Sequence, residues 1–220
     1  QETPTGAVYA AENKSVGRPC ALEVITARGE APTDPTTLLE AMRDAGRVGT
    51  HPSVVEFFDA GMVEELGVPF LAMELVEGEP IDGYARTHRR VPRVLGQLMW
   101  QLGGALSAGH RAGVVHGDLS PSNVLVVPGA EGPEVKVRGF AVARTLGITT
   151  GFSAPEQLPD ELRARAQQRG FAVRDDVGPS ADVFGLGLLA YCLLTDTGID
   201  AHWGTRDIAE MNHRLVKEPR

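Results

Sequence analysis

Cysteine is scarce in this chain, and long uninterrupted apolar runs are missing. The two cysteines, Cys20 and Cys192, are far apart, each sits in an apolar segment, and neither has a CxxC or histidine-rich neighbour. That argues against a disulfide scaffold and a cysteine-based metal site and leaves two reduced core thiols, as expected of a cytosolic protein. No apolar stretch reaches the roughly 18 to 20 residues that a spanning helix needs, and the start has no basic-then-apolar signal pattern. The best apolar run, residues 183–194, reads as a core helix. Long Lys/Arg clusters are missing as well. With a formal net charge of -8 and a pI near 5.3, the chain carries no electrostatic footprint for nucleic acid or an anionic membrane.

What is present is enough apolar material, 42% of 220 residues, for one substantial core or two small lobes. The most informative stretch is residues 114–127, VVHGDLSPSNVLVV. Its two apolar runs, VV and NVLVV, read as short strands, and the turn between them, with His116, Asp118 and Asn123, reads as too polar for the core. An Asp and an Asn on such a turn can reach the same point in space, one as proton acceptor and the other as neutral oxygen ligand, which suits a catalytic loop.

His116, Asp118 and Asn123 resemble the H-R-D-x-x-x-x-N catalytic loop of the protein kinase superfamily. The resemblance implies that Asp118 orients or deprotonates a substrate hydroxyl and that Asn123 holds Mg²⁺. It extends along the chain in order. Gly6 and Val8 match the end of a glycine loop, and residues 18–26, RPCALEVIT, are similar to the family's V-A-I-K strand with Ala21 kept. Residues 35–48 have helical apolar spacing and resemble the regulatory helix, its Glu position falling at Ala41 beside Glu40. Strand-like runs follow at 54–62 and 69–76, the second carrying a gatekeeper at Met73 and a hinge from Glu74 to Val76. An amphipathic helix with Leu95, Leu98, Met99, Leu102 and Leu106 leads into the central loop. Phe140 keeps the centre of D-F-G, Ala154, Pro155 and Glu156 match A-P-E, and Asp182 and Gly187 match the central helix of the large lobe. Asp182 is expected to accept hydrogen bonds from the catalytic loop's backbone.

The fold implied is α+β and two-lobed: a small β-rich lobe over residues 1–76, ending in the hinge, and a helical lobe over 77–220. The family's last helices have no counterpart in this stretch beyond a helix expected at 206–216. The resemblance places a nucleotide pocket on Gly6, Val8, Ala21, Met73, Glu74, Val76 and Leu125. The departures fall where phosphates and Mg²⁺ would be handled. Gln1 and Thr3 replace loop glycines, Glu23 replaces the phosphate Lys, and Gly117 replaces the Arg of H-R-D. Ser120 replaces the catalytic-loop Lys, while Gly139 and Ala141 replace the Asp and Gly of D-F-G. Phosphoryl transfer depends on positioning and charge stabilisation. Removing one charge-stabilising group costs on the order of 10² to 10³ in rate, and here several are replaced together.

The function expected is therefore that of a pseudokinase, a catalytically inactive scaffold or allosteric regulator in signalling, with Asp118 and Asn123 vestigial and with ATP and Mg²⁺ binding weak or absent. Two alternatives stay open: an atypical phosphotransferase using Asp118 and Asn123, and a metal-independent nucleotide sensor. The segment 158–179 is longer than usual. It reads as Pro159, a short basic helix with Arg163, Arg165 and Arg169, and a stop at Gly170, and it is the candidate surface for a protein partner. Usage rich in Ala, Arg, Gly, Val and Pro suggests a high-GC bacterial source. The expected location is the cytoplasm, for a free domain or the cytosolic part of a larger or membrane-anchored protein. The initial Gln fits an excised fragment.

Overall fold

The computed structural model describes residues 2–3, 6–15, 17–26, 35–88, 91–168, 170 and 173–195. Gln1, Arg169 and the helix expected at 206–216 lie outside the described residues. β1 (Glu2–Thr3) and β3 (Arg18–Ile25) each pair antiparallel with β2 (Gly6–Asn13), which lies between them. The turn into β3 closes on Gly17, at φ +62, whose N–H donates to the Asn13 carbonyl. α1 (Pro35–Ala45) and a 3-10 turn (Gly46–Val48) precede β4 (Phe57–Val63) and β5 (Val68–Met73). Together the strands form a five-stranded sheet in the order β1-β2-β3-β5-β4. β3 alternates Cys20 and Ala21, then Glu23 and Ile25, as its buried positions, so the sheet's inner face carries an acid among apolar side chains.

A second sheet joins β6 (Glu79–Pro80), β7 (Val124–Gly129) and β8 (Gly132–Val137). Between β6 and β7 come α2 (Ile81–Thr87) and α3 (Pro92–Arg111). α3 starts with Pro at its first position, where no N–H is needed, and buries Leu95, Leu98, Leu102 and Leu106 along one side. It stops where Gly113 turns left-handed, at φ +77. There the Gly113 N–H donates to His110 and the Val114 N–H to the Gly109 carbonyl, satisfying carbonyls the helix leaves open. α4 (Val142–Thr145), α5 (Asp160–Gln168) and α6 (Pro179–Thr195) complete the described part.

Three expectations are corrected. Residues 114–115 are not a strand, because the helix stop uses the Val114 N–H and no strand among the described residues pairs with them. The run from Val54 begins pairing as β4 only at Phe57. Val54 instead bridges Val137 in parallel, with the Val55 N–H donating to the Val137 carbonyl at 2.8 Å. The polar turn at 116–123 is core: His116, Asp118, Ser120 and Asn123 are all buried.

One apolar cluster joins α3, β7, β8 and α6, through Leu98, Leu102, Val124, Val135, Val137 and Leu189 among others. A second joins the five-stranded sheet to α4, through Ala21, Ile25, Leu71, Met73, Val142 and Leu146. Cys20 is buried and Cys192 half-buried, and both are free thiols. α6 buries Ala181, Asp182, Gly185, Leu189 and Leu193, while Val183, Tyr191 and Leu194 are exposed among the described residues. No helix of the described residues is long and apolar enough to cross a membrane.

Leu102 is fully buried and Trp100, two residues earlier on α3, is 82% exposed. Leu102→Ala is expected to cost about 2 to 5 kcal/mol of stability by leaving a cavity. Trp100→Ala is expected to stay within about 0.5 kcal/mol. Urea unfolding of both variants checks the contrast.

Candidate functional site

The site is built on the segment between α3 and β7, and one carboxylate from α6 sets its backbone. Asp182 Oδ2 accepts from the His116 N–H at 2.9 Å and from His110 Nε2 at 2.7 Å, and its Oδ1 accepts from the Gly117 N–H at 2.8 Å. Gly117 can make this bond because its φ is +77 and a Cβ there would sit 3.0 Å from Arg144 Cβ. A side chain at this position would be strained and crowded. The Gly117 carbonyl in turn accepts from Gln157 Nε2 at 2.6 Å. Glu156 beside it takes a hydrogen bond from the Ser180 hydroxyl at 3.2 Å.

His116 is wholly buried, and burial lowers its pKa below the ordinary histidine value. Its two hydrogen bonds assign the neutral tautomer: Nδ1 accepts from the Asp118 N–H at 3.2 Å, leaving Nε2–H to donate to the Arg138 carbonyl at 3.0 Å. The ring lies 4.7 Å from that of Phe140, centroid to centroid. Phe140 is seated so closely that a Cβ on Gly109 would lie 2.6 Å from its ring.

Asp118 and Asn123 are brought together. Asn123 Nδ2 donates to Asp118 Oδ2 at 2.8 Å and to the Asp118 carbonyl at 2.9 Å. The Thr150 hydroxyl donates to the other carboxylate oxygen, Oδ1, at 3.3 Å. The Asp118 pKa is raised to about 6, mainly by burial; the Asn123 and Thr150 hydrogen bonds pull it down, and the charge of Glu23 pushes it further up. Glu23, only 5% exposed on the inner face of β3, is thus within electrostatic reach of Asp118.

The remaining positions divide. Val8, Ala21, Met73 and Val76 share one apolar cluster, with Ala21 directly opposite Met73 across β3 and β5. Leu125 is buried but belongs to neither cluster, since on β7 it points away from Val124 and Val126. Gly6 sits in β2, where a Cβ would overlap the Val24 carbonyl oxygen; close strand approach is reason enough for a glycine there. Thr3 pairs with Gly6. The Glu74 carboxylate is held at 2.9 Å by Lys136 Nζ and accepts the Glu56 N–H at 3.2 Å. Ser120 Oγ lies 3.1 Å from Ser122 Oγ. Gly139 is left-handed at φ +86, and Ala141 keeps a left-handed turn at φ 64 despite its methyl group, a conformation that costs roughly 1 to 2 kcal/mol. Glu40 on α1 is exposed.

Several residues make contacts here that the sequence does not announce. Arg138 is 93% buried, its Nη2 donating to the Ser122 carbonyl at 3.3 Å while Nε has no partner. Its one sequence signal is a charged residue ending an apolar strand, in VKVRGF. Thr150 and Gln157 gave no signal, because a hydroxyl or an amide in a loop is unremarkable until its partner is known.

At the Asp118–Asn123 pair a Mg²⁺ ion would find one carboxylate and one neutral amide oxygen. That ion requires near-octahedral oxygen coordination that includes one or two carboxylates. At this place Asn123 donates Nδ2 to Asp118 and keeps its neutral Oδ1 as an oxygen ligand, whereas Gly139, whose Cβ would fall 3.6 Å from that Oδ1, has no side chain to offer. Among the described residues no group of three or more His, Cys, Asp or Glu could hold a metal ion.

A buried His-x-Asp loop bonded through its backbone to a helix carboxylate, with a left-handed Gly-Phe-Ala turn against its histidine, lies where a family model describing the protein kinase domain matches residues 4–217. The chain belongs to the protein kinase family. It is similar to the serine/threonine-protein kinase PknA of Mycobacterium tuberculosis, 30% identical over 97% of this chain and 48% of that protein. It is also similar to PknL of Mycobacterium bovis, 33% identical over 87% of this chain and 46% of PknL. Pkn1 of Myxococcus xanthus is 31% identical over 86% of this chain and 27% of its own length. The chain thus spans about half or less of the curated relatives it matches. The two-lobed α+β expectation is met by the sheet with α1 and the helices beyond it.

Within this kinase domain Asp118 makes a distinct contribution to stability. Its folded pKa of about 6 lies above the ordinary aspartate value of 3.8, so the fold prefers the protonated acid. That preference is fully present below pH 4 and is lost as pH rises through 6. Asp118→Asn is expected to raise stability at pH 7 by roughly 2 to 3 kcal/mol, with no gain at pH 3.5. Chemical denaturation of both proteins across that range checks the sign; an equal difference at both pH values would refute it.

Proposed function

We propose that this domain is a pseudokinase, a protein-binding scaffold or allosteric regulator built on a kinase frame. The observation that carries the reading is the buried carboxylate of Glu23, whose charge reaches Asp118. Where a kinase needs a cation against phosphate, a buried carboxylate stands close enough to raise the pKa of Asp118. Phosphates entering there would meet two acids in a site of reduced dielectric. The position that should supply the metal carboxylate is Gly139, and Ser120 brings no positive charge. Losing several charge-stabilising groups that act as a unit leaves little rate to lose further. The segment 158–179 belongs to this reading as the partner-facing surface. Arg163 there is turned back onto the Arg174 and Asp175 carbonyls, while Arg174 is exposed. Deleting this segment without weakening a partner's binding would remove that part.

A second reading has one observation in its favour. A carboxylate with a pKa near 6 is mostly ionised at pH 7 yet still basic, which suits a general base. An atypical phosphotransferase using Asp118, oriented by Asn123, would show ATP turnover that Asp118→Ala abolishes.

Thermal unfolding with ATP or ADP, with and without Mg²⁺, separates the readings, because ligand at about 100 times its dissociation constant stabilises by roughly 2.7 kcal/mol. The scaffold reading expects no shift at millimolar nucleotide. A Mg²⁺-dependent shift favours the enzyme, and a shift without metal favours a nucleotide sensor. The double variant Glu23→Lys, Gly139→Asp restores the cation and places a carboxylate beside Asn123 Oδ1. It is expected to gain a Mg²⁺-dependent shift that the parent lacks.

A further inference from the structure

A second recess, of about 760 Å³, shares no lining residue with the cluster around Asp118. Its floor is one face of α3, where Arg93, Gly96, Trp100 and Gly104 recur at spacings of three and four. Trp100 stands in the middle of this floor with 82% of its surface in water. Gly96 and Gly104 lie one helical turn to either side of it. At Gly96 nothing stands within 4 Å of where a Cβ would be, and at Gly104 the nearest group is the His51 ring at 3.8 Å. The indole is therefore flanked by two bare steps, one open and one closed by His51. An exposed tryptophan set in a glycine-floored groove is the arrangement of a binding hot spot waiting for its cover.

The walls narrow the kind of cover. One wall is the β7–β8 turn, with Glu131 and Glu134 exposed on it. Neither carboxylate has an ion-pair partner among the described residues. The edge of β8 facing α3 is already taken: Gln101 accepts the Val135 N–H at 2.9 Å and donates to the Pro133 carbonyl at 3.1 Å. An incoming chain cannot add to this edge as a strand, so it must bind through side chains. From Gly96 to Gly104 the floor runs about 12 Å, room for about four residues of polyproline-type chain. Arg93 at the start of the helix repels a cation, whereas the two glutamates attract one.

We propose that this groove docks an extended basic and apolar segment of a partner protein. A proline or aliphatic side chain of that segment lies on the Trp100 indole, and a lysine or arginine meets Glu131 and Glu134 on the β7–β8 wall. The groove stands apart from the phosphate chemistry, so its test is independent of whether the domain turns over ATP.

The chain has two tryptophans, so Trp203→Phe leaves Trp100 as the only fluorophore of its type. Panning a phage-displayed random dodecapeptide library against this variant is expected to enrich peptides with a Lys or Arg a few residues from a Pro or Leu. Synthetic copies should shift the Trp100 emission to the blue on binding and weaken with added salt. Their affinity should fall about tenfold or more on Trp100→Ala, and Glu131→Gln, Glu134→Gln should reduce both affinity and salt dependence. No enrichment overturns the proposal. So do peptides that bind the Trp100→Ala protein equally well, or peptides with no need of a basic residue. If sedimentation shows a dimer that Trp100→Ala dissolves, the face belongs to a second copy of this chain and the proposal is likewise overturned.

Discussion

The carboxylate of Asp182 is taken out of water by α6 and repaid by the N–H groups of His116 and Gly117 and by the His110 ring. Moving a carboxylate into a protein interior costs several kcal/mol unless partners replace its hydration, so those three donors are fixed as firmly as the acid is. Everything about the central loop follows from that constraint. It sets the left-handed Gly117, which turns its carbonyl to Gln157. It also orients His116, whose ring reaches the Arg138 carbonyl and so positions the Gly139-Phe140-Ala141 turn. A helix from one end of the chain thus dictates the geometry of a loop some 65 residues earlier.

The frame of this domain and the side chains of its cleft answer to different constraints. The turn is left-handed at both Gly139 and Ala141, even though Ala141 is strained by it. The packing of Phe140 on His116 needs that path whether or not a carboxylate hangs from residue 139. The side chains that would meet phosphate answer to no such need. Glu23 lies on a strand whose pairing to β2 and β5 is indifferent to the charge it carries. Backbone pairing and core packing therefore place no demand on the charge carried at position 23.

The fold was legible wherever a residue type is forced by the backbone or by periodicity: the α3 leucines, Gly113 at the helix stop, Asp182 beneath the loop. The pairing of Asp118 with Asn123 was legible from spacing and family resemblance together. What could not be read was contact between segments distant in sequence. Thr150 on Asp118, Lys136 on Glu74 and Gln101 on the β8 edge each depend on how two elements cross, and one polar residue in a loop or strand does not announce its partner. The burial of the 116–123 turn was misjudged for a related reason. Its polar groups are satisfied by one another and by Asp182, and composition alone says nothing about whether polar groups satisfy one another inside.

The ion pair between Lys136 and Glu74 sits at modest exposure on both sides, 20% and 29%, and Glu74 also accepts the Glu56 N–H. Lys136 lies on β8, two residues before Arg138 and three before Gly139, whereas Glu74 follows directly on β5. The connection between the two sheets is therefore latched by charge and not only by covalent chain. Any opening of the molecule at this point must break the latch or drag β8 with it, together with the loop that β8 supports. Electrolyte weakens such a partly solvated pair, so the mechanical stiffness of the domain is coupled to the ionic composition of its surroundings.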